Sequence, residues 1–234
     1  MSDWISFYDF KHSVIYVNAR HRDVHYRTIA LDIARLVPSP DARVMDYGCG
    51  EAASAELVAQ AAGALVLVEA APNVRAALEA RFADHAKIAV CNPDEAAALP
   101  DGSFDLIVLH SVAQYLSGTE LDRQLAMFRR LLKPDGLFII GDIVPPKLAA
   151  PWAALALLRF GLTNGFFWAA VGGLMRIFLS DYLRLKKNFG LSHYDEAAML
   201  AKLNAAGFAA QRAARNIGHN QQRMTFLARP AARV

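Results

Sequence analysis

The chain has 234 residues, 55% of them hydrophobic, and a formal charge of +3, which suits one large α/β domain and gives no general case for nucleic-acid binding. Its two cysteines, Cys49 and Cys91, exclude a disulfide-stapled scaffold. The opening residues show no basic region followed by an apolar core and a cleavage site, so no signal peptide is expected and the cytoplasm is the expected location.

Residues 1–40 are expected to form an N-terminal helical cap that ends at Pro38-Ser-Pro40. It carries Tyr16, Asn18, Arg20, His21, His25, Tyr26 and Arg27. His21 and His25 share one helical face, but no further set of ligands completes a metal site, and none is expected. Val44–Tyr47 reads as a short apolar strand running into Gly48-Cys49-Gly50. Glu51–Ala62 reads as an Ala-rich helix stopped at Gly63, and Ala64–Glu69 as a buried parallel strand. Pro72 opens a helix that runs to Phe82.

The alternation continues with strands at Lys87–Cys91 and Phe104–His110 and a helix over Glu120–Leu132. A turn at Lys133–Gly136 precedes a strand at Leu137–Val144. Asp195–Ala206 reads as a helix capped by Ser192 or Asp195 and stopped at Gly207. Two strands, Phe208–Asn216 and Arg223–Arg229, close the chain. The expected fold is a Rossmann-like α/β three-layer sandwich, with a mostly parallel seven-stranded sheet and an antiparallel last strand. Residues 1–234 are expected to form one domain.

Residues 145–191 break this pattern with an apolar helical insert before the last helix. The apolar run between Arg159 and Arg176 falls short of the roughly 20 residues that a spanning helix needs, and Pro151, Gly165 and Gly172-Gly173 interrupt the stretch further. Three readings stand: a lid lining a greasy pocket, a subunit interface in a homodimer, or peripheral membrane contact through 148–187, aided by Arg176, Arg184, Lys186 and Lys187.

In Asp46-Tyr-Gly48-Cys49-Gly50-Glu-Ala52 a strand turns sharply toward a helix, and the glycines let backbone approach a ligand. Glu69, at the end of the second strand, is placed to accept both ribose hydroxyls of an adenosine. A nicotinamide dinucleotide fits the glycines equally well. Asp46 argues against it, because a carboxylate there repels a pyrophosphate and suits a cationic amino group.

Val44–Gly50 resembles the first motif of class I S-adenosylmethionine-dependent methyltransferases. Leu99-Pro-Asp-Gly-Ser-Phe-Asp105 resembles the fourth-strand motif of that family, and Leu132–Gly136 the turn before the fifth strand. Ala52 stands where the family's third glycine is usual. The resemblance implies a methyltransferase with S-adenosylmethionine as cofactor and S-adenosylhomocysteine as product. It also implies cofactor contacts from Asp46, Gly48, Cys49, Gly50, Glu69 and Ala70. Asn92 or Asp94 would lie near the adenine, and Tyr16 or Arg20 would reach from the cap.

Ligands of open α/β sheets lie at the carboxyl ends of the strands. His110 and Tyr115 follow the fourth strand there, and His110 is the expected general base or substrate orienter, placed also to touch the cofactor. His193, before the last helix, is a further candidate at the pocket mouth. The expected acceptor is a small, hydrophobic or lipid-like molecule, with no nucleic-acid partner. An RNA or protein methyltransferase and a non-catalytic cofactor-binding module stay open as alternatives.

Overall fold

The computed structural model describes Ile5, Tyr8, Asp9 and residues 16–146, 150–179 and 191–231. Arg184, Lys186 and Lys187, named above for membrane contact, lie outside the described residues. The first helix, α1 (Ala19–Ala34), is capped by Asn18, whose side chain accepts the His21 N–H. Then follow β1 (Arg43–Tyr47), α2 (Ala55–Ala61), β2 (Ala64–Val68), α3 (Pro72–Phe82), β3 (Ile88–Cys91) and α4 (Pro93–Ala97). After β4 (Phe104–His110), α5 (Gly118–Leu131) leads into β5 (Leu132–Ile143). Two insert helices, α6 (Ala150–Asn164) and α7 (Phe167–Leu179), precede α8 (Glu196–Ala205), β6 (Phe208–Arg212) and β7 (Met224–Pro230).

The strands form one seven-stranded sheet in the order β3-β2-β1-β4-β5-β7-β6. β1 to β5 pair in parallel, and β7 runs antiparallel to both β5 and β6. The fold is thus the expected Rossmann-like one, with the last strand antiparallel. β1 lies between β2 and β4, so the chain reverses its direction of growth beside it and leaves a crevice at the carboxyl ends of β1 and β4.

Local chemistry explains the elements that match their expected bounds. Pro72 sits in the first turn of α3. The apolar runs of β2 and β4 are covered on both faces: Leu65, Leu67 and Val68 are all but inaccessible, as are Leu106 to Leu109. On one side Phe128, Phe138 and Phe208 stack in series at 5.2 and 5.4 Å, fully buried. Each such ring contributes about 1.5–3 kcal/mol by leaving water.

Elsewhere the bounds shift. The segment expected to open the second helix at Glu51 stays a turn until Ala55, because Ala52 takes a left-handed φ of 41°. The expected turn at Lys133–Gly136 is absorbed into β5, where the pairing with β4 slips between Phe104 and Leu106. Asp105 braces that slip: it accepts the Arg43 N–H at 2.8 Å and pairs with Lys133 at 2.7 Å.

The insert forms a helical hairpin closed through Gly165 and Phe166. It docks on α1 through Phe160, Phe166 and Ala170, packed with Val17, Val24, Leu157 and Leu158. Two stacked rings pin it: Phe166 on His21 at 4.9 Å and Phe160 on His219 at 4.3 Å. Arg20 donates to the Asn164 carbonyl at the hairpin turn. The described residues of the hairpin pack on α1 and do not line the cavity, which α1 itself walls. No helix among the described residues is long and apolar enough to cross a membrane.

Candidate active site

A cavity of about 90 Å³ opens at the carboxyl ends of β1 and β4. Asp46, Gly48 and Cys49 form its floor, His110 and Ser111 one wall, and Tyr16, His25 and Tyr26 the side toward α1. The β1 turn is built for close approach. Gly48 and Gly50 have φ of 74° and 59°, a region that costs other residues strain. A Cβ on Gly48 would strike the Val112 side chain, and one on Gly50 would meet the Tyr8 and Tyr26 hydroxyls.

Ala52 shares this left-handed geometry without glycine's freedom. Two effects oppose each other there. Replacing it by glycine removes about 1–2 kcal/mol of strain, but loses a buried methyl and adds chain entropy of comparable size. Ala52→Gly is therefore expected to leave stability within about 1 kcal/mol, while Ala52→Val, β-branched and larger, should lose about 2–4 kcal/mol. Urea unfolding checks both; equal loss in the two variants would remove the strain account.

Glu69 is buried at the end of β2, where its two oxygens accept the Gly50 N–H at 2.9 Å and the Ala71 N–H at 2.8 Å. It therefore ties the glycine turn to the start of α3, with Ala70 half-buried between. Burial raises its carboxyl above the usual range against those backbone bonds. Asp46 is pushed further, to about 7, by burial and then by the Glu69 charge. Burial also raises the Cys49 thiol, with Asp46 and Glu69 adding to the effect, so it is protonated at neutral pH. Two buried carboxylates beside each other form a site that fits a cationic ligand with hydroxyls.

The candidates divide. Asp46, Gly48, Cys49, His110 and Tyr16 line the cavity, and Gly50 and Glu69 border its floor. Tyr115 is half-buried in the short 3-10 turn after β4 and does not line the cavity. Asn92 is committed to a reciprocal cap on α4: its side chain accepts the Asp94 and Glu95 N–H groups, while Glu95 accepts the Asn92 N–H. Asp94 is exposed on that helix. Arg20 is taken by the hairpin turn. His193 is exposed, because its neighbours Ser192 and Tyr194 are tied to Gln114 and Val144 by backbone bonds.

Several site residues escape sequence reasoning. Asp142 ends β5 with φ 64°, and Ser111 follows β4 with φ 60°. Ser111 donates to Asp142 at 2.7 Å, and Arg223 from the last loop pairs with the same oxygen. Burial raises the Asp142 carboxyl, but Arg223, His110 and Ser111 outweigh it and hold it below its usual range. Two strained residues joined by one hydrogen bond at the crevice are a mark of a functional site. His219 arrives from the same loop, with ring centroids 5.8 Å from His25 and 6.3 Å from His21. Asp9 accepts from the Asn73 backbone at 2.7 Å and so caps α3, which has no cap of its own.

Burial first holds the imidazoles neutral. His25 falls to about 3 and His21 to about 4, with repulsion by His219 the next cause for both; His110 and His219 are also lowered by burial, against Asp142 and with Arg223. Among the described residues the Nδ1 atoms of His25 and His110 are enclosed with no hydrogen-bond partner. Gly141 leaves room for the His110 ring, since a Cβ there would lie 2.7 Å from Nδ1. Among the described residues no group of three His, Cys, Asp or Glu has the geometry to hold a metal ion.

Residues 45–140 match the methyltransferase domain family. A nocamycin O-methyltransferase from Saccharothrix syringae is 34% identical over 143 residues, which are 58% of this chain and 50% of that protein. The chain thus spans about half the length of the curated relative it matches. Magnesium protoporphyrin IX methyltransferase from Synechocystis, solved with bound S-adenosylhomocysteine, has a TM-score of 0.62 at 19% identity, covering 97% of this chain and 98% of that one. A protein of Bordetella parapertussis described as a possible exported protein also has a TM-score of 0.62, at 20% identity over 88% of this chain and 67% of its own. At those identities the likeness is one of fold.

Proposed function

We propose that this chain, whose residues 45–140 match the methyltransferase domain family, is a class I S-adenosylmethionine-dependent methyltransferase that methylates a hydroxyl oxygen of a small, hydrophobic acceptor. The observation that carries the acceptor reading is the pair of enclosed, unpartnered Nδ1 atoms of His25 and His110, on residues that share a cavity with Asp46 and Gly48. A buried imidazole nitrogen without a partner loses about 1–3 kcal/mol, which a hydroxyl reaching it recovers.

The cofactor would supply an electrophilic methyl on a sulfonium and leave as S-adenosylhomocysteine. Asp46 would hold its cationic amino group, Glu69 would hold the ribose hydroxyls with its remaining lone pairs, and the turn at Gly48–Gly50 would admit it at close range. The cavity is smaller than the roughly 300–1,000 Å³ of small-molecule clefts, so Tyr8 and Tyr16 on its N-terminal side must yield space on binding. His25 would orient the acceptor oxygen toward the methyl carbon. His110, neutral at pH 7, would take the hydroxyl proton as the oxygen–methyl bond forms and the sulfonium–methyl bond breaks, and the nearby Asp142 carboxylate would stabilise the imidazolium. A base held below its usual range favours acidic hydroxyls, of phenol or enol type. The name of the Saccharothrix syringae relative, an O-methyltransferase, supports oxygen as the acceptor atom.

His110→Gln is expected to keep cofactor affinity within about twofold and to lower transfer by about 10²–10⁴. The assay incubates the protein and its variant with methyl-labelled cofactor and cell extract, then separates solvent-extractable small molecules from RNA and protein. Label in RNA or protein defeats the acceptor reading, and undiminished transfer by the variant removes His110 from the chemistry.

A further inference from the structure

Among the described residues five large apolar side chains are exposed: Trp152, Leu155, Leu162, Trp168 and Met175, and all five lie on the insert hairpin. Their spacing makes them stripes. On α6, Trp152, Leu155, Arg159 and Leu162 follow the three- and four-residue steps of one helical face, all exposed. On α7, Trp168, Gly172, Met175 and Arg176 do the same. The opposite faces are used up against α1 through Phe160, Phe166 and Ala170. The hairpin is therefore apolar on both sides, and Trp168 is 81% exposed.

The charge on this outer face has one sign. Arg159 and Arg176 are its exposed charged groups, and the sequence from Ile143 to Ser180 adds Lys147 and contains no Asp or Glu. A second copy of the chain is a poor occupant. A two-fold dimer joins the same patch on both subunits, so Arg159 and Arg176 of one copy would be buried against the same apolar, basic patch of the other, with no acid in the segment to pair them. An anionic bilayer complements the face on both counts. Tryptophans sit at the level of the headgroups, arginines meet the anionic phosphates, and leucines enter the acyl boundary.

We infer that the outer face of the α6–α7 hairpin is a docking surface for an anionic lipid bilayer, on which the protein lies without crossing it. This inference does not rest on the methyl-transfer reading, and its test needs no cofactor. The full chain is sedimented with vesicles of phosphatidylcholine alone and with an equal mixture of phosphatidylcholine and phosphatidylglycerol. Binding is expected to the mixed vesicles, with a blue shift of tryptophan emission, and to weaken as salt is raised. Trp152→Ser with Trp168→Ser should weaken binding roughly tenfold or more. Arg159→Glu with Arg176→Glu should weaken it by more than the roughly fivefold attributable to each basic residue at the surface. All four positions are exposed, so thermal unfolding of the variants is expected to match the parent. Failure to bind the mixed vesicles overturns the inference, as does binding that these substitutions leave unchanged. A concentration-dependent dimer that the tryptophan variant dissolves also overturns it, and assigns the face to a second copy.

Discussion

S-adenosylmethionine should bind about tenfold more tightly at pH 8 than at pH 6, and Asp46→Asn should abolish that dependence. The cause is the carboxyl of Asp46, raised to about 7 by burial and by Glu69. The sign follows from the direction. A carboxyl raised above its usual range is ionised in the folded chain only as pH climbs through 7, and that ionisation opposes the stability of the empty fold. A cationic ligand reverses the balance by stabilising the carboxylate, so binding releases a proton below pH 7 and strengthens as pH rises. The Asp46→Asn variant loses the charge-assisted contact, worth about 1.5–3 kcal/mol, and should bind roughly ten- to a hundredfold more weakly at pH 8. Calorimetry in buffers of different ionisation heat reads both the affinity and the released proton. Affinity that is flat from pH 6 to pH 8 in the unsubstituted protein would take Asp46 out of the cofactor site.

The second large effect is loss of stability in acid. His21 and His25 are buried as neutral rings with values near 4 and 3, against about 6.5 when unfolded. Above pH 6.5 neither state is charged and the rings cost nothing. As pH falls below 6.5, the unfolded chain takes up protons that the folded chain refuses, and stability drops until the folded values are reached. Between pH 6.5 and pH 4 each ring removes about 3 kcal/mol, and His110 and His219 add to the loss in the same direction. Domains are stable by about 5–15 kcal/mol, so acid unfolding is expected between about pH 4 and pH 5.

The groups facing these rings include the Asp142 carboxylate, which is itself held low and stays charged over this range, and Arg223 opposes it. Because His21 stacks on Phe166 and His219 on Phe160, the cost falls where the hairpin docks. His21→Phe keeps the stack and removes one titrating ring, and should move the midpoint of acid unfolding to lower pH. Circular dichroism as a function of pH measures this, and an unmoved midpoint would show that His21 does not carry the acid response.

Much of the fold is legible in local pattern. Pro72, the continuous apolar runs of β2 and β4, and Gly207 after α8 each impose a local geometry that the tertiary fold leaves in place. The cofactor floor is legible for the same reason, because Asp46, Gly48 and Gly50 lie within one turn and Glu69 ends the next strand. Asn92 and Asp94 follow β3 where an adenine contact is expected, and a capping box that no strand pattern announces also ties them to α4. Arg20 has a long side chain that can reach in several directions, and the hairpin turn offers it a carbonyl.

The histidine cluster is the clearest case of the opposite kind. His25 is visible on its helix as one of a pair, but its neighbours His110 and His219 come from the end of β4 and from the loop before β7. No spacing along the chain connects them. Asp142 and Ser111 look like ordinary strand ends until the sheet order sets β4 beside β5 and brings Arg223 over both. The turn after β1, with its fit to a cationic ligand, is legible along the chain, because glycine φ freedom and a carboxylate two residues earlier are local properties. What faces that turn, and the outward set of the insert's apolar stripes, are tertiary outcomes, because both depend on which distant surfaces exclude water together.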